Sequence, residues 1–150
     1  MFAKNVMSSQ ILALRMEAGA TVKDAVLLLE SSGLHELPVV DPEGKPVGLV
    51  SANSILHLAL PGYATDDLLS LMKSGPDITS VYQNLDALLE QPLNNILDKK
   101  MDIVKLETPT SAIAAILVNQ KGDSRNILVV NDSDELVGVI TARDLICRRL

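Results

Sequence analysis

Thr141-Ala142-Arg143-Asp144 is the stretch of this chain whose residue types and spacing could do chemistry. It follows Val137-Gly138-Val139-Ile140, an apolar run suited to a buried strand. A strand that hands over directly to a helix capped by Thr141 leaves a mouth of unpaired backbone N–H groups, suited to an anion. Asp144, in the first turn, adds an acceptor-only carboxylate whose two oxygens take hydrogen bonds from neighbouring hydroxyls. A ligand with a phosphate for the helix end and a sugar diol for the carboxylate would use both parts. The same Ser/Thr-x-x-Asp/Glu spacing is also the capping box, in which the two side chains serve only the helix's own orphan donors. What favours a ligand is that the whole neighbourhood occurs twice.

The elements that must position these residues follow from local patterning. Ala3 to Met7 is expected to form a short helical turn and Ile11 to Leu14 a brief buried strand. Thr21-Val-Lys-Asp24 starts a helix with an apolar face of Ala25, Val26, Leu28 and Leu29, ending at Gly33. Leu37 to Val40 is the next strand, Asp41-Pro-Glu-Gly44 a turn, and Pro46 to Val50 the returning hairpin strand. Ser51 caps a helix that runs to about Leu60 and stops at Pro61-Gly62. The order is β-α-β-β-α.

Laid over the first half without gaps, the second half matches at one offset of 90. Val129-Val130 falls on Val39-Val40, Val137-Gly138 on Val47-Gly48, Ala142 on Ala52, Ala115 on Ala25, Leu117 on Leu27 and Asn95 on Asn5. The second unit is then expected to contain a strand over Ile103 to Leu106, a helix capped by Ser111 running to about Lys121, and a strand over Ile127 to Val130. A strand over Leu136 to Ile140 and a helix from Ala142 complete it. Each unit makes a three-stranded sheet with a right-handed parallel crossover and an antiparallel hairpin. One such sheet cannot cover both its faces, so the units are expected to pack about a pseudo-two-fold axis. The organisation is 1–60 as first repeat, 61–92 as helical linker and 93–150 as second repeat. The linker carries two amphipathic stretches, Ala64 to Met72 and Ile78 to Leu89, as a packed connector or as a lever facing a partner.

Composition narrows the function classes. Aromatics are 2%, with no Trp, so the stacking platforms of single-strand nucleic-acid binding are missing. The net charge of −6 and absence of a basic tract disfavour phosphate backbones and anionic membranes. One cysteine, Cys147, forms no internal disulfide, and with two His it does not suggest a zinc site. No run approaches the roughly 20 apolar residues of a membrane span, and the amino-terminal stretch lacks a signal peptide's apolar centre. The expected location is the cytoplasm. A hydrophobic fraction of 47% exceeds what a monomer of this size needs, and wide apolar faces such as Ala112 to Val118 point to a homodimer.

Taken together, Leu37-Pro-Val-Val-Asp41 with Gly48-Leu-Val-Ser51, and Ile127-Leu-Val-Val-Asn131 with Gly138-Val-Ile-Thr-Ala-Arg-Asp-Leu145, resemble a tandem pair of CBS domains, or Bateman module. The resemblance covers nearly the whole chain. It implies an α/β fold of the α+β type and a regulatory module, without catalysis, that senses an adenosine compound: AMP, ADP, ATP or S-adenosylmethionine. It implies a small-molecule nucleotide partner and an effector protein whose identity the residues do not give. Carried onto this sequence, Asp144 would hold the ribose diol, Thr141 a phosphate or ribose oxygen, and Arg143 a phosphate, although a solvated arginine has the same signature. Ser9, Leu12, Leu34, His35 and Leu37 would form the base pocket. The other cleft departs from the pattern: Ser54 stands where the ribose carboxylate should be, opposite the basic Lys99, Lys100 and Arg125. One neutral hydroxyl cannot replace a carboxylate accepting two bonds, so one competent site is expected. The alternatives are a dimerisation module without ligand, and a divalent-cation sensor using Asp66-Asp67 or Asp132-Ser-Asp134. An enzyme is disfavoured, because His35-Glu36 and His57 lack nucleophile-base spacing and no Gly-rich phosphate loop is present.

Overall fold

The computed structural model describes residues 1–60, 78–120 and 126–147. The linker's first amphipathic stretch, the Asp66-Asp67 pair and Arg125 lie outside them. The elements in order are α1 (Ala3–Val6), β1 (Leu14–Arg15), α2 (Val22–Ser32), β2 (Glu36–Val40), β3 (Pro46–Ser51) and α3 (Ala52–Ala59). Then come α4 (Ile78–Leu89), a 3-10 turn (Leu93–Asn95), β4 (Ile103–Lys105), α5 (Thr110–Asn119), β5 (Asn126–Val130), β6 (Leu136–Thr141) and α6 (Ala142–Cys147). Two three-stranded sheets result, ordered β1-β2-β3 and β4-β5-β6. β1 is parallel to β2 with Leu14 opposite Val39, and β4 is parallel to β5 with Val104 opposite Val129. β5 and β6 are antiparallel, with a register shift between Val129 and Val130. This is the mixed α+β architecture of two β-α-β-β-α repeats.

Turn chemistry explains the connections. Gly33 ends α2 in the left-handed conformation (φ 72°), donating its N–H to the Leu29 carbonyl. Asp41 Oδ1 takes the N–H groups of Glu43 and Lys45, and Asn131 Oδ1 takes those of Ser133 and Glu135, closing both hairpin turns alike.

Three expectations are corrected. The strand expected over Ile11 to Leu14 is only Leu14–Arg15, and Leu12 is 39% exposed. The chain before it is occupied elsewhere, because Ser8 pairs with Val139 of β6. Ser111 does not cap α5; Pro109 precedes the helix, and the Thr110 N–H is taken by the Met1 carbonyl at 3.0 Å. A backbone oxygen from the amino terminus does the work of the missing side-chain cap. Third, the offset of 90 holds for the strands but not for the first helix of each repeat. α2 starts at Val22 and α5 at Thr110, an offset of 88, because the loop after β4 is two residues shorter than that after β1. Burial agrees: fully buried Ala25 corresponds to fully buried Ile113, whereas Ala115 is exposed.

The chain forms two compact units that do not follow the repeats: Met1–Met16, Pro38–Leu49 and Asp98–Leu150 form one, Glu17–Leu37 and Val50–Leu97 the other. The core of the first unit gathers Val104, Ile113, Ile127, Val129 and Ile140 from the second repeat with Ala3 and Val6 of α1. The leading strap, Met1 to Ser8, is held there by Ala3 N–H to the Thr108 carbonyl (2.8 Å) and by a two-way pair between Ser8 and Val139 (2.9 and 3.1 Å). In the second unit, fully buried Leu93 donates its N–H to the Ala20 carbonyl (3.0 Å), and Val22 N–H reaches the Gln91 carbonyl (3.0 Å). Residues 91–98 are the 90-offset counterparts of 1–8, and Asp98 pairs with Leu49 as Ser8 does with Val139. Each strap packs against the repeat that its own sequence does not precede.

In the first unit, Lys105 Nζ bridges to Asp134 and also donates to the Asn131 carbonyl, tying β4 to the turn before β6. Its hydrogen bond, then its charge, hold the Asp134 carboxyl below the usual 3.8, with Lys45 adding a smaller pull. A depressed folded value means the stabilisation is present above the ordinary carboxylate value and lost as pH falls through the depressed one. Lys105→Ala is expected to move the Asp134 titration, followed by carboxyl NMR, back up toward 3.8. An unmoved midpoint would refute that cause.

Candidate functional site

The β6-to-α6 junction is built from the residues upward. β5 and β6 bury Ile127, Val129 and Ile140 together, which points the end of β6 toward a helix start one residue later. Thr141 and Asp144 then close on each other. Thr141 N–H donates to Asp144 Oδ2 at 2.8 Å, Thr141 Oγ1 donates to the same oxygen at 3.2 Å, and Asp144 N–H donates to Thr141 Oγ1 at 3.3 Å. Both residues are half-buried. The described residues give Asp144 Oδ1 no donor, so the carboxylate has one oxygen spent on the cap and one left to accept. Arg143 is exposed and forms no ion pair with any described residue.

Two other helix starts allow comparison. Thr21 and Asp24 make a similar cap, with Thr21 N–H to Asp24 Oδ2 at 2.8 Å and the Thr21 hydroxyl to the same oxygen at 3.4 Å, but both bonds are solvent-exposed and Asp24 N–H goes instead to the Thr21 carbonyl. At Ser51 and Ser54 the cap is closed upon itself. Ser54 Oγ accepts from Ser51 N–H (3.3 Å) and donates to the Ser51 carbonyl (2.9 Å), while Ser54 N–H donates to Ser51 Oγ (3.1 Å). That hydroxyl has committed its only proton and carries no charge, so it offers a sugar diol far less than Asp144 does.

The remaining expected site residues fall in two places. Ser9 and Leu12, both exposed, belong to the unit that holds Thr141 and Asp144. Because Ser8 pairs antiparallel with Val139, Ser9 continues toward Gly138, three strand positions from Thr141. That is a spacing of about 10 Å along β6, on the order of a nucleoside's reach from sugar diol to base.

Leu34, His35 and Leu37 belong to the other unit. Leu34 and His35 line an apolar groove of about 440 Å³ with Val26, Leu29, Ile55 and Leu85. The His35 carbonyl accepts the Ala52 N–H at 2.9 Å, which fixes the entry to α3. Leu37 is 0% exposed, so its side chain is core and not pocket lining. Its place in a continuous apolar strand could have given this: Leu37 to Val40 are all buried, on both faces of β2. The groove itself escaped the sequence, since its wall includes Leu85 of α4, which the repeat does not place. Among the described residues no three His, Cys, Asp or Glu side chains are grouped to hold a metal. No helix of the described residues is long and apolar enough to cross a membrane.

Comparisons with known proteins agree with the fold. A CBS domain protein of unknown function from Bacillus anthracis superposes with a TM-score of 0.74 at 21% identity, over 100% of this chain and 95% of that one. CBSX2, solved in complex with AMP, gives 0.67 at 19% identity, over 99% and 95% of the two chains. The CbpB protein of Listeria monocytogenes, solved in complex with c-di-AMP, gives 0.70 at 20% identity, over 97% and 92%. The CBS domain family model matches twice, at residues 3–60 and 93–149. The chain therefore belongs to the CBS domain family, with two copies of the domain in tandem.

Proposed function

We propose that this protein is a regulatory module that binds an adenosine nucleotide against Thr141 and Asp144 and passes its occupancy to a partner protein. The observation that carries the reading is the half-buried Asp144 carboxylate, whose Oδ2 holds the helix cap while Oδ1 keeps its accepting capacity. Its neighbours in structure support the ligand class, since CBSX2 carries AMP and CbpB carries c-di-AMP. The diol meets Asp144, a phosphate meets the Thr141 hydroxyl or Arg143, and the base extends toward Ser9 and Leu12. Ser51 and Ser54 take no sugar. The module binds and performs no catalysis.

The test is a thermal-shift panel of AMP, ADP, ATP, S-adenosylmethionine and c-di-AMP. At least one compound at about 100 times its dissociation constant should add roughly 2.7 kcal/mol of stability. No shift with any of them would favour the second reading, a dimerisation module whose motifs are caps alone. A specific observation supports that alternative: Thr21 and Asp24 make two of the same bonds, from the Thr21 N–H and hydroxyl to Asp24 Oδ2, at an exposed helix start.

A homodimer is part of the proposal. Val118 of α5 is 83% exposed and Ile146 of α6 is 69% exposed, levels at which large aliphatic side chains favour burial against a second surface. Sedimentation at micromolar concentration should give about twice the 16.1 kDa chain mass. A 16.1 kDa species throughout would refute it.

A further inference from the structure

The Met7 side chain lies against Gly138 and leaves no room for a side chain there. A Cβ built on Gly138 would overlap Met7 Sδ, and would lie 2.9 Å from Cγ and 3.0 Å from Cβ of the same residue. The sulfur and Cγ could swing to another rotamer, but Met7 Cβ is fixed by the backbone. That backbone is itself fixed. Met7 N–H donates to the Ala3 carbonyl at 2.9 Å, and the next residue, Ser8, exchanges both backbone bonds with Val139. On its other edge β6 is paired with β5, and the register shift falls beside Gly138, which faces Val129. β6 is thus gripped from both sides at the position where Met7 rests. One residue downstream of the grip, the strap becomes the Ser9–Leu12 segment. Two residues beyond Val139, β6 ends at Thr141.

We propose that Met7, seated on Gly138, is a positioning residue: it sets the spacing between the Ser9–Leu12 segment and the Thr141/Asp144 cap, and so tunes nucleotide affinity without touching the ligand. The proposal rests on the nucleotide reading above. A strap that moves at Met7 carries Ser9 with it, while Thr141 and Asp144 stay in place through bonds of their own. Positioning errors of this kind weaken binding because a ligand that bridges two elements needs both at the right separation.

The test titrates AMP and c-di-AMP by calorimetry into wild type, Gly138→Ala, Met7→Ala and the double variant, at a temperature where each is folded. Gly138→Ala should weaken binding about tenfold and Met7→Ala about threefold. The double variant should recover most of the way to the Met7→Ala level, because alanine removes the Sδ and Cγ overlaps and leaves only the Cβ contact at 3.0 Å. Amide NMR shifts of residues 9–12 should move in Gly138→Ala and return in the double variant, whereas those of Thr141 and Asp144 stay near wild type. Wild-type affinity in Gly138→Ala, or a double variant no better than Gly138→Ala, overturns the proposal. Should Gly138→Ala fail to fold, Met7→Ala decides alone, and wild-type affinity there overturns it too. If wild type binds neither compound, the same four proteins are titrated with ADP, ATP and S-adenosylmethionine; if wild type binds none of the five, the nucleotide reading fails first and this one falls with it, an outcome distinguished by the absence of binding in every arm.

Discussion

Asp144→Ala is expected to weaken the bound nucleotide about a hundredfold and to erase most of its thermal shift. The substitution removes a charged acceptor, and charge-assisted hydrogen bonds contribute about 1.5–3 kcal/mol each before water competes. Allowing for the water that replaces it, the loss is roughly 2–3 kcal/mol, about a hundredfold in dissociation constant. A ligand at about 100 times the wild-type constant raises the melting temperature by about 5–10 °C for a chain of this length. After the substitution the same concentration only reaches the new constant. Asp144 also holds two bonds of its own helix cap, so the variant loses about 1 kcal/mol without ligand. The comparison must be of ligand-induced shifts. Ser54→Ala should leave the shift nearly intact, because its hydroxyl is spent on the Ser51 carbonyl. The reverse pattern, with Ser54→Ala abolishing the shift and Asp144→Ala keeping it, would assign the ligand to the other helix start.

Leu93→Ala should be among the costliest substitutions outside the sheets, destabilising the protein by about 3 kcal/mol. Leu93 is fully buried, and its backbone N–H is anchored on the Ala20 carbonyl, so the strap cannot collapse inward to refill the space. A loss of that size lowers the melting temperature by about 10 °C in a chain of this length. The side chain lies in a 3-10 turn of three residues between a linker helix and a loop, which on local grounds predicts tolerance. A drop below about 2 °C, well under the range for a buried leucine, would show that the space is refilled and that residues 91–98 are not held as described.

What was legible in the sequence was local. β2, β3, β5 and β6 announced themselves by apolar runs bounded by Asp-Pro-Glu-Gly or Asn-Asp-Ser-Asp turns, and each was found within one residue. α4 was found at Ile78–Leu89 from its spacing alone, and Gly33 ended α2 as its left-handed geometry requires. Thr141 and Asp144 were legible as a pair because three residues of helix bring them together in any context. The failures share a different origin. Ala25 and Ala115 are the same residue type at the strand offset, yet one is core and the other exposed, because a two-residue loop difference rotates the helix. The family pattern places Leu37 in a pocket, whereas the structure buries it in the core with the rest of a strand covered on both faces. The straps left no periodic trace at all: Ser8 pairing with Val139, and Asp98 with Leu49, are contacts between segments far apart in the chain, and a bridge of one residue has no pattern to read.

The crossed straps say something about ancestry. A chain carrying one repeat alone would hold a leading segment whose natural seat is on another repeat, and an open flank where Ala3 and Val6, or Leu93, should lie. Its cheapest remedy would be to trade that segment with an identical chain, as domain-swapped dimers do. Duplication and fusion would then turn the trade between molecules into one within a single molecule. The two halves would then be free to diverge, as at Ser54 and Asp144, while each still seats the other's strap.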